Sequence, residues 1–307
     1  MTAITGDAST NVAFYTTVLG MRMVKKTVNQ DDVSAYHLFY ADAKGSPGTD
    51  LTFFDWPHTP VNQPGVPSIG PTALRVGSEQ ALEWWASRFD ELGVQHEEPV
   101  SEGDRPSMSF TDPEGQRLEL VVDGGAPGGE PWRGSPVPPE LQVRGLFGVT
   151  LVSVQPQATA DCLVQLLGFR ARGERQTTEG GQLHTFEAGR GGPGTEVRLA
   201  LPARHNPARQ GRGGVHHAAF RVPDGDLQVE WRDRLVSAGL RPTPVIDRFY
   251  FKSVYFREPG GNLFEIATDG PGFTADEPLE HLGDHLALPP FLEPQRELIE
   301  AGLRPIG

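Results

Sequence analysis

The sequence predicts an α+β protein made of four βαβββ units in two related halves, because stretches of the first half recur in the second. Residues 112–124 (DPEGQRLELVVDG) recur as residues 258–270 (EPGGNLFEIATDG), 146 positions later. The same separation relates the Leu-Gly pair at 92–93 to the Ala-Gly pair at 238–239. Landmarks that share one offset indicate duplication of a whole structural unit.

A second offset, of 148 residues, relates the beginnings of the two halves. Leu19-Gly20 corresponds to Leu167-Gly168, and Thr2 corresponds to Thr150. Each unit has the pattern of a short strand, an amphipathic helix and three further strands, the last of which is an apolar run after a turn. The predicted units span residues 1–60, 68–125, 145–201 and 213–270.

The helix of the second unit has the clearest pattern. Its apolar residues follow helical spacing and predict a stripe that faces the core. Gly93 follows at the place where a left-handed helix cap belongs. The stripe of this helix, predicted over residues 81–92, consists of Leu82, Trp85, Phe89 and Leu92.

The repeats divide the chain into two domains, each expected to hold two βαβββ units around one curved sheet. The N-terminal domain covers residues 1–125, and the C-terminal domain, which carries the candidate metal site, covers residues 145–270. Between them, residues 126–144 are rich in Gly and Pro, which is typical of a linker. Residues 271–307 repeat nothing else, so we expect a C-terminal tail that acts as a wrapping arm or a lid, with a helix at 294–302.

Composition narrows the class of protein. The formal net charge of -13 argues against a nucleic-acid partner, since phosphate binding needs clustered Lys and Arg. The sequence has no apolar run of about 18 residues and no signal-peptide pattern, so we expect neither a membrane span nor secretion. The single cysteine, Cys162, excludes an internal disulfide, fits a buried helical pattern and is compatible with a cytoplasmic location.

His217 and Glu265 are the candidate metal ligands. The second unit has Pro71 where the fourth has His217, so the repeated architecture does not itself require a histidine. Glu265 lies in the apolar run Leu-Phe-Glu-Ile-Ala, where a buried carboxylate needs a cation or hydrogen-bond donors. A His and a Glu on two strands of one unit supply two-thirds of a 2-His-1-carboxylate triad. The alternative is structural, because Glu119 occupies the same position in the second unit, where Arg or backbone donors would satisfy it.

Several segments together carry a family resemblance. The chain resembles the vicinal oxygen chelate (glyoxalase-like) superfamily and, more narrowly, its hydroquinone-type ring-cleaving dioxygenases. The resemblance covers nearly the whole chain, and the combination of segments is more specific than any one of them. The matching segments are residues 5–8 (TGDA), 24–29 (VKKTVN), 36–42 (YHLFYAD), 214–220 (GVHHAAF), 255–261 (YFREPGG), 264–265 (FE) and 272–274 (GFT).

The resemblance implies a mononuclear Fe(II) centre, with Mn(II) as the alternative metal, held by a His of the first unit together with His217 and Glu265. In the family pattern His-His-Ile-Thr, Met1 falls on the Ile position, so the first-unit ligand would be the residue immediately before Met1. The third protein ligand is therefore missing from the given N-terminus. Either translation starts upstream, or the triad is incomplete, since Gly148 at the equivalent place in the third unit is no substitute.

The resemblance also implies roles for three further residues. Arg248 would stabilise negative charge on substrate oxygens, Tyr255 would donate a hydrogen bond or relay a proton, and His216 would be the partner of the metal-binding His. His37 is a weaker candidate for the lining of the same cavity. The expected function is cleavage of a hydroquinone- or catechol-type ring, with a small aromatic diol or quinone-derived substrate and O₂ as partners, in an enzyme that would form a homo-oligomer.

Two other functions compete with ring cleavage. One is a different metalloenzyme of the same fold, such as an isomerase or a thiol transferase, which usually has more carboxylate ligands. The other is a metal-free protein that binds small molecules, which follows if the first-unit His is absent. Metal content and oxygen consumption would distinguish the three.

Overall fold

The structure is a computed structural model that describes residues 1–101, 105–177, 180–204 and 206–306. In this part of the chain, strands dominate and helices connect them. The strands are β1 (Thr2–Thr5), β2 (Arg22–Asn29), β3 (Asp32–Ala41), β4 (Leu51–Asp55), β5 (Ser68–Val76), β6 (Ser107–Thr111), β7 (Arg117–Val122), β8 (Leu146–Val152), β9 (Arg170–Gln176), β10 (Gln182–Glu187), β11 (Glu196–Leu201), β12 (Gly214–Val222), β13 (Ile246–Asp247), β14 (Lys252–Arg257) and β15 (Leu263–Thr268).

The helices lie where the repeats place them. The α-helices are α1 (Ala8–Ala13), α2 (Glu79–Leu92), α3 (Pro156–Asp161), α4 (Gly225–Ser237) and α5 (Arg296–Gly302). Both α1 and α3 continue as a π-helical turn, Phe14–Val18 and Cys162–Leu166 respectively, so the first and third units share even this irregularity. The tail adds three short 3₁₀ turns, Phe273–Ala275, Leu279–His281 and Glu293–Gln295.

The strands of the described residues form two sheets, and each sheet draws strands from both halves of the chain. One has the order β13-β14-β15-β12-β1-β4-β3-β2, which joins the fourth unit to the first. The other has the order β6-β7-β5-β8-β11-β10-β9, which joins the second unit to the third. The antiparallel pairs β1–β12 and β5–β8 make the two junctions. The expectation that each half would form a sheet of its own is therefore wrong, whereas the four units are present. The division at 125 and 145 stays a prediction from the repeats.

Strand register confirms the 146-residue repeat. Ala73 lies opposite Glu119 in the parallel pair β5–β7, and Ala219 lies opposite Glu265 in the parallel pair β12–β15. The two glutamates thus occupy corresponding strands and positions. This correspondence lets each be compared with the other as an internal control.

Helix α2 shows how local sequence sets an element. The hydroxyl of Ser78 accepts a hydrogen bond from the Ala81 backbone N–H, and Gly93 ends the helix at φ 69 in the left-handed region. Trp85 and Phe89 are fully buried. Leu92 is 49% exposed, so the predicted core stripe ends one turn earlier than the spacing indicates. Cys162 is buried as predicted, and burial raises the pKa of its thiol to about 12.

The tail packs against the first unit rather than leaving the body of the protein. Lys25 is completely buried and pairs with Asp276 at 2.7 Å and with Glu277. Farther on, Ile299 and Leu303 are buried in the main hydrophobic core. The tail is thus a wrapping arm. No helix in the described ranges is long and apolar enough to cross a membrane.

Candidate metal centre

A buried His–Glu pair lies on neighbouring strands of the eight-stranded sheet. His217 on β12 and Glu265 on β15 bring Nε2 and Oε2 to 2.8 Å, with side chains only 3% and 4% exposed. Parallel pairing sets this contact, because Ala219 is opposite Glu265 and His217 is two residues away on the same face. The structure therefore brings together the two residues that the sequence nominates as ligands.

The environment of Glu265 keeps it ionised. Burial alone would raise the pKa of its carboxyl, but the neighbouring His217 and a hydrogen bond from the Ser253 hydroxyl lower the pKa to about 2. The Ser253 Oγ donates to Oε1 at 2.5 Å, while Oε2 faces His217. Each carboxylate oxygen thus has one partner, and the orientation of the group is fixed. Ser253 is a site residue that no pattern in the sequence indicates.

His216 and His217 are adjacent on β12, and their imidazole rings lie close together, with centroids 5.1 Å apart. Their Nδ1 atoms lie 2.8 Å apart, so one imidazole donates this hydrogen bond and the other accepts it. The ring of His216 packs edge-on against Phe54 and Trp56. Burial and the nearby His217 lower the pKa of His216 to about 3, which favours the neutral form. Such a bond fixes the orientation of the His217 ring and leaves its Nε2 facing Glu265.

Tyr255 lies beside the pair, and Arg248 lies next to Tyr255. Tyr255 is opposite Glu265 in the β14–β15 register, and its ring is 5.4 Å from that of His217. Burial and the Glu265 charge raise the pKa of the Tyr255 hydroxyl above its ordinary value. Arg248 lies 5.8 Å from the Tyr255 ring and forms a two-bond ion pair with Asp31 of the first unit, at 3.0 and 2.7 Å.

The backbone next to Arg248 is unusual. Phe249 has φ 68, the left-handed region that a non-glycine residue rarely adopts. The Phe249 N–H donates to the Asp247 carboxylate at 2.8 Å, which supports the turn. Strain of this kind often marks functional sites.

The His–Glu pair opens into a cavity of about 1070 Å³. His37 lines it and bonds the Thr52 hydroxyl at 3.1 Å through Nε2. Burial, with His217 nearby, lowers the pKa of His37 well below its usual range, so a neutral ring faces the cavity. His37, the weaker candidate from the sequence, is therefore part of the cavity lining. An aromatic wall completes the lining, formed by Phe39, Phe54, Tyr250, Phe251, Tyr255 and Phe273.

The N-terminal residue belongs to the same cavity. Met1 is buried, lines the cavity with His217 and Glu265, and donates its terminal ammonium to the Asp50 carbonyl at 3.0 Å. Within the described ranges, no three His, Cys, Asp or Glu side chains are grouped to hold a metal ion. The donor set present is thus one imidazole nitrogen and one carboxylate, which suits a divalent transition metal and supplies two of its ligands.

The equivalent position in the other sheet is occupied differently. Glu119 pairs with the guanidinium of Arg198, which also donates to Glu196 at 2.6 Å. Glu119 therefore fits the structural alternative, in which an Arg satisfies the carboxylate. Glu265 has an imidazole in place of that guanidinium.

Fold and site together define a protein of paired βαβββ units with a buried imidazole–carboxylate pair in a large cavity. The sequence pattern of the Glyoxalase/Bleomycin resistance protein/Dioxygenase superfamily matches residues 1–120 and 145–266. The chain belongs to this superfamily, whose dioxygenases generally use a metal.

Relatives match over nearly the whole chain. MhqA of Bacillus subtilis (strain 168), named as a candidate ring-cleaving dioxygenase, is 43% identical, over 100% of this chain and 97% of that protein. Chlorohydroquinone/hydroquinone 1,2-dioxygenase of Sphingobium indicum is 31% identical over 95% of this chain and 91% of that protein. The crystal structure of a candidate dioxygenase from Bacillus subtilis subsp. subtilis str. 168 matches with a TM-score of 0.92 at 37% identity, over 100% of this chain and 96% of that one.

Proposed function

We propose that this protein is an Fe(II)-dependent ring-cleaving dioxygenase that opens a hydroquinone- or catechol-type ring with O₂, and that His217 and Glu265 bind the metal. The observation that carries the assignment is the buried His217–Glu265 pair, 2.8 Å apart in an aromatic-walled cavity. Full-length similarity to enzymes named for ring cleavage and for hydroquinone 1,2-dioxygenation supports the reaction class. The enzyme is an oxidoreductase.

The donor set supports Fe(II), with Mn(II) as the alternative. Imidazole nitrogen and carboxylate oxygen are the ligands of non-haem iron oxygenases, whereas thiolate-rich sites select other metals. When bound, such a metal couples electrons from the aromatic ring to O₂, a reaction that is otherwise spin-forbidden. His217 would present Nε2 and Glu265 would present Oε2, each already oriented by its second partner, His216 and Ser253 respectively.

The surrounding residues would position the substrate and handle its proton. The aromatic wall packs against a planar ring and keeps water away from it. Tyr255, with its raised pKa, stays protonated and can donate a hydrogen bond to a substrate oxygen. Arg248, held by Asp31, adds a fixed positive charge beside Tyr255 that favours an ionised substrate hydroxyl.

A direct experiment tests the function. The purified chain is loaded anaerobically with Fe(II), freed of unbound metal, and mixed with hydroquinone or catechol in air-saturated buffer. We expect about one equivalent of O₂ consumed per ring opened, with an ultraviolet spectrum of the ring-opened acid. Absence of oxygen uptake with both diols, in protein that retains iron, would overturn the proposal.

One observation favours a second candidate, a metal-free protein that binds aromatic molecules. The described residues provide two ligands and no grouped third His, Cys, Asp or Glu. Under this alternative the cavity would bind hydroquinone equally well with and without iron, and no oxygen would be consumed. Calorimetric titration of the apo and Fe(II)-loaded forms distinguishes the two functions.

We also propose a cytoplasmic location, no nucleic-acid or membrane partner, and a homo-oligomeric state. The net charge of -13 and the one buried cysteine support the first two. Sedimentation analysis of the purified chain tests the third.

A further inference from the structure

His37 lies on β3, in the same sheet as the His217–Glu265 pair but on the far side of β1 and β4. The ring of Phe54, on β4, lies between the two histidines, with its centroid 4.5 Å from that of His37 and 6.4 Å from that of His217. All three side chains line the large cavity. A planar ring bound against Phe54 would therefore have the His217–Glu265 pair at one edge and His37 at the opposite edge.

The contacts of the His37 ring fix both its orientation and the position of its proton. The ring packs against Phe39, at a centroid distance of 4.0 Å, and against Phe54. Its Nε2 is 3.1 Å from the hydroxyl of Thr52, and that hydroxyl donates its own proton to Thr2 Oγ1 at 2.9 Å. Thr52 therefore accepts the hydrogen bond from His37. The imidazole proton is on Nε2, and Nδ1 carries a lone pair.

Nδ1 of His37 is a hydrogen-bond acceptor that the protein leaves open to the cavity. Among the described residues it has no hydrogen-bond partner, and it is not one of the unpartnered polar atoms that are sealed from the cavity. Burial lowers the pKa of the imidazole well below its usual range, so the ring stays neutral. The edge of the cavity opposite the His217–Glu265 pair thus presents one acceptor in a fixed direction.

The internal repeat shows that the fold does not require a histidine at this position. Strand pairing aligns Phe39 with Thr185, since their partners on β4 and β11 lie opposite the repeat-related threonines of β1 and β8. Two residues earlier, His37 corresponds to Leu183, which is buried. An apolar side chain fills the position in the third unit, so the histidine of the first unit has a reason other than packing.

We propose that His37 determines the substrate specificity of the site, with Nδ1 accepting a hydrogen bond from a ring hydroxyl opposite the one that meets the His217–Glu265 pair. The inference rests on the proposed function, in which the cavity binds an aromatic diol. A 1,4-diol carries its hydroxyl groups at opposite edges of the ring, whereas those of a 1,2-diol are adjacent and serve one edge. A site with a buried acceptor discriminates against ligands that leave this acceptor unpaired. The site is therefore specific for 1,4-diols.

Anaerobic calorimetric titration of the full chain tests the proposal, with hydroquinone, catechol and 1,4-dimethoxybenzene as probes. Hydroquinone is symmetric, so either of its hydroxyl groups can face His37. We expect it to bind at least about tenfold more tightly than catechol and than 1,4-dimethoxybenzene, whose ether oxygens cannot donate. The same order is expected with and without added Fe(II), because His37 is not a proposed ligand. Equal affinities for the three probes would overturn the proposal.

The titration separates this inference from the proposed reaction, because no ring can open without O₂. If hydroquinone is preferred here but no oxygen is consumed in the test of function, ring cleavage is rejected and the specificity of the cavity stands. If oxygen is consumed and the three probes bind equally, the reaction stands and the role of His37 is rejected.

Variants assign the preference to His37. His37→Leu introduces the residue type that β10 carries at the corresponding position, so we expect it to fold. It should weaken hydroquinone binding at least about tenfold and leave the affinities for catechol and 1,4-dimethoxybenzene within about twofold. His184→Leu is the matched control, since His184 lies on β10 and contacts Glu174 at 3.6 Å, away from the cavity. Unchanged hydroquinone affinity in His37→Leu, or an equal loss for all three probes, would refute the assignment.

Discussion

Glu119 and Glu265 occupy the same position in two copies of one unit, and their different partners separate a structural site from a chemical one. Glu119 is neutralised by Arg198, a cation with a permanent charge. Glu265 faces His217, whose imidazole nitrogen can bind a metal. The second unit has Pro71 in place of His217, so a change at one strand position accompanies the difference in chemistry.

This pairing predicts a specific loss of metal. Glu265→Gln keeps the size of the side chain but replaces an anionic ligand with a neutral amide. We expect iron retained after desalting to fall from about one per chain to near zero, as measured by elemental analysis. Glu119→Gln is the matched control and should retain iron like the unchanged protein. Equal iron contents in the two variants would show that Glu265 is not a ligand.

Ser253 allows a test of orientation rather than ligation. Ser253→Ala removes the hydrogen bond to Oε1 of Glu265 without changing either proposed ligand. Loss of such an outer partner typically weakens metal affinity by about 10- to 100-fold. The repeat supplies the control again, because Ser107 occupies the equivalent place on β6. Competition with a fluorescent chelator should show weaker Fe(II) binding in Ser253→Ala and unchanged binding in Ser107→Ala.

The site residues that could be predicted from the sequence are those that differ between the repeats or interrupt an apolar pattern. Glu265 was predictable because it interrupts an apolar strand, and His217 was predictable because it stands where the second unit has Pro71. Ser253 was not, since a serine in a strand carries no signal of its partner. His37 and Asp31 come from the first unit, and their approach depends on which strands pair across the sheet. That pairing is not encoded in local sequence.

At the level of elements, the repeats do not predict which units pair their strands with each other. Alternation of apolar residues fixes which face of β1, β5, β8 or β12 is buried, but each of these first strands presents a similar edge. The observed pairs, β1 with β12 and β5 with β8, therefore fit the apolar alternation as well as pairs between the two units of one half would. The unit count, the strand order inside each unit and helix α2 were predictable because they depend on local periodicity and caps.

In the seven-stranded sheet, Arg198 forms ion pairs with Glu119 and Glu196, here called the Arg198 cluster. We expect this cluster to contribute to the free energy of unfolding. Arg198→Met removes the cation that pairs with Glu119, whereas Glu196 keeps Arg105 and Arg172 nearby, at 3.6 and 3.5 Å. Breaking a largely buried ion pair costs about 3–5 kcal/mol. Denaturant unfolding should show this loss while iron content stays unchanged. The double variant Arg198→Met with Glu119→Gln should recover part of the stability. If Arg198→Met unfolds like the unchanged protein, the cluster is not a stabilising element.

At the level of the whole molecule, the tail joins the first unit to the aromatic wall. Lys25 is buried beneath Asp276 and Glu277, and the Tyr250 hydroxyl donates to Asp276 at 2.7 Å. Phe273, at the start of the tail, lines the cavity. The ion pairs that anchor the tail are thus continuous with the surface that would hold the substrate.

The last prediction concerns this anchor. Lys25→Met leaves two carboxylates without their buried cation, at a cost of about 3–5 kcal/mol. We expect a lower thermal midpoint, faster proteolysis within residues 271–307 and a higher KM for the aromatic diol, because Phe273 loses its fixed position. Adding Asp276→Asn and Glu277→Gln to Lys25→Met should restore much of the stability by removing the unpaired charge. Lys44→Met is the matched control, since Lys44 pairs with Glu130 on the surface with both side chains 51% exposed. It should change none of these three quantities. If Lys25→Met lowers the thermal midpoint but leaves the KM and the proteolysis of the tail unchanged, the pair stabilises the fold without positioning the cavity wall.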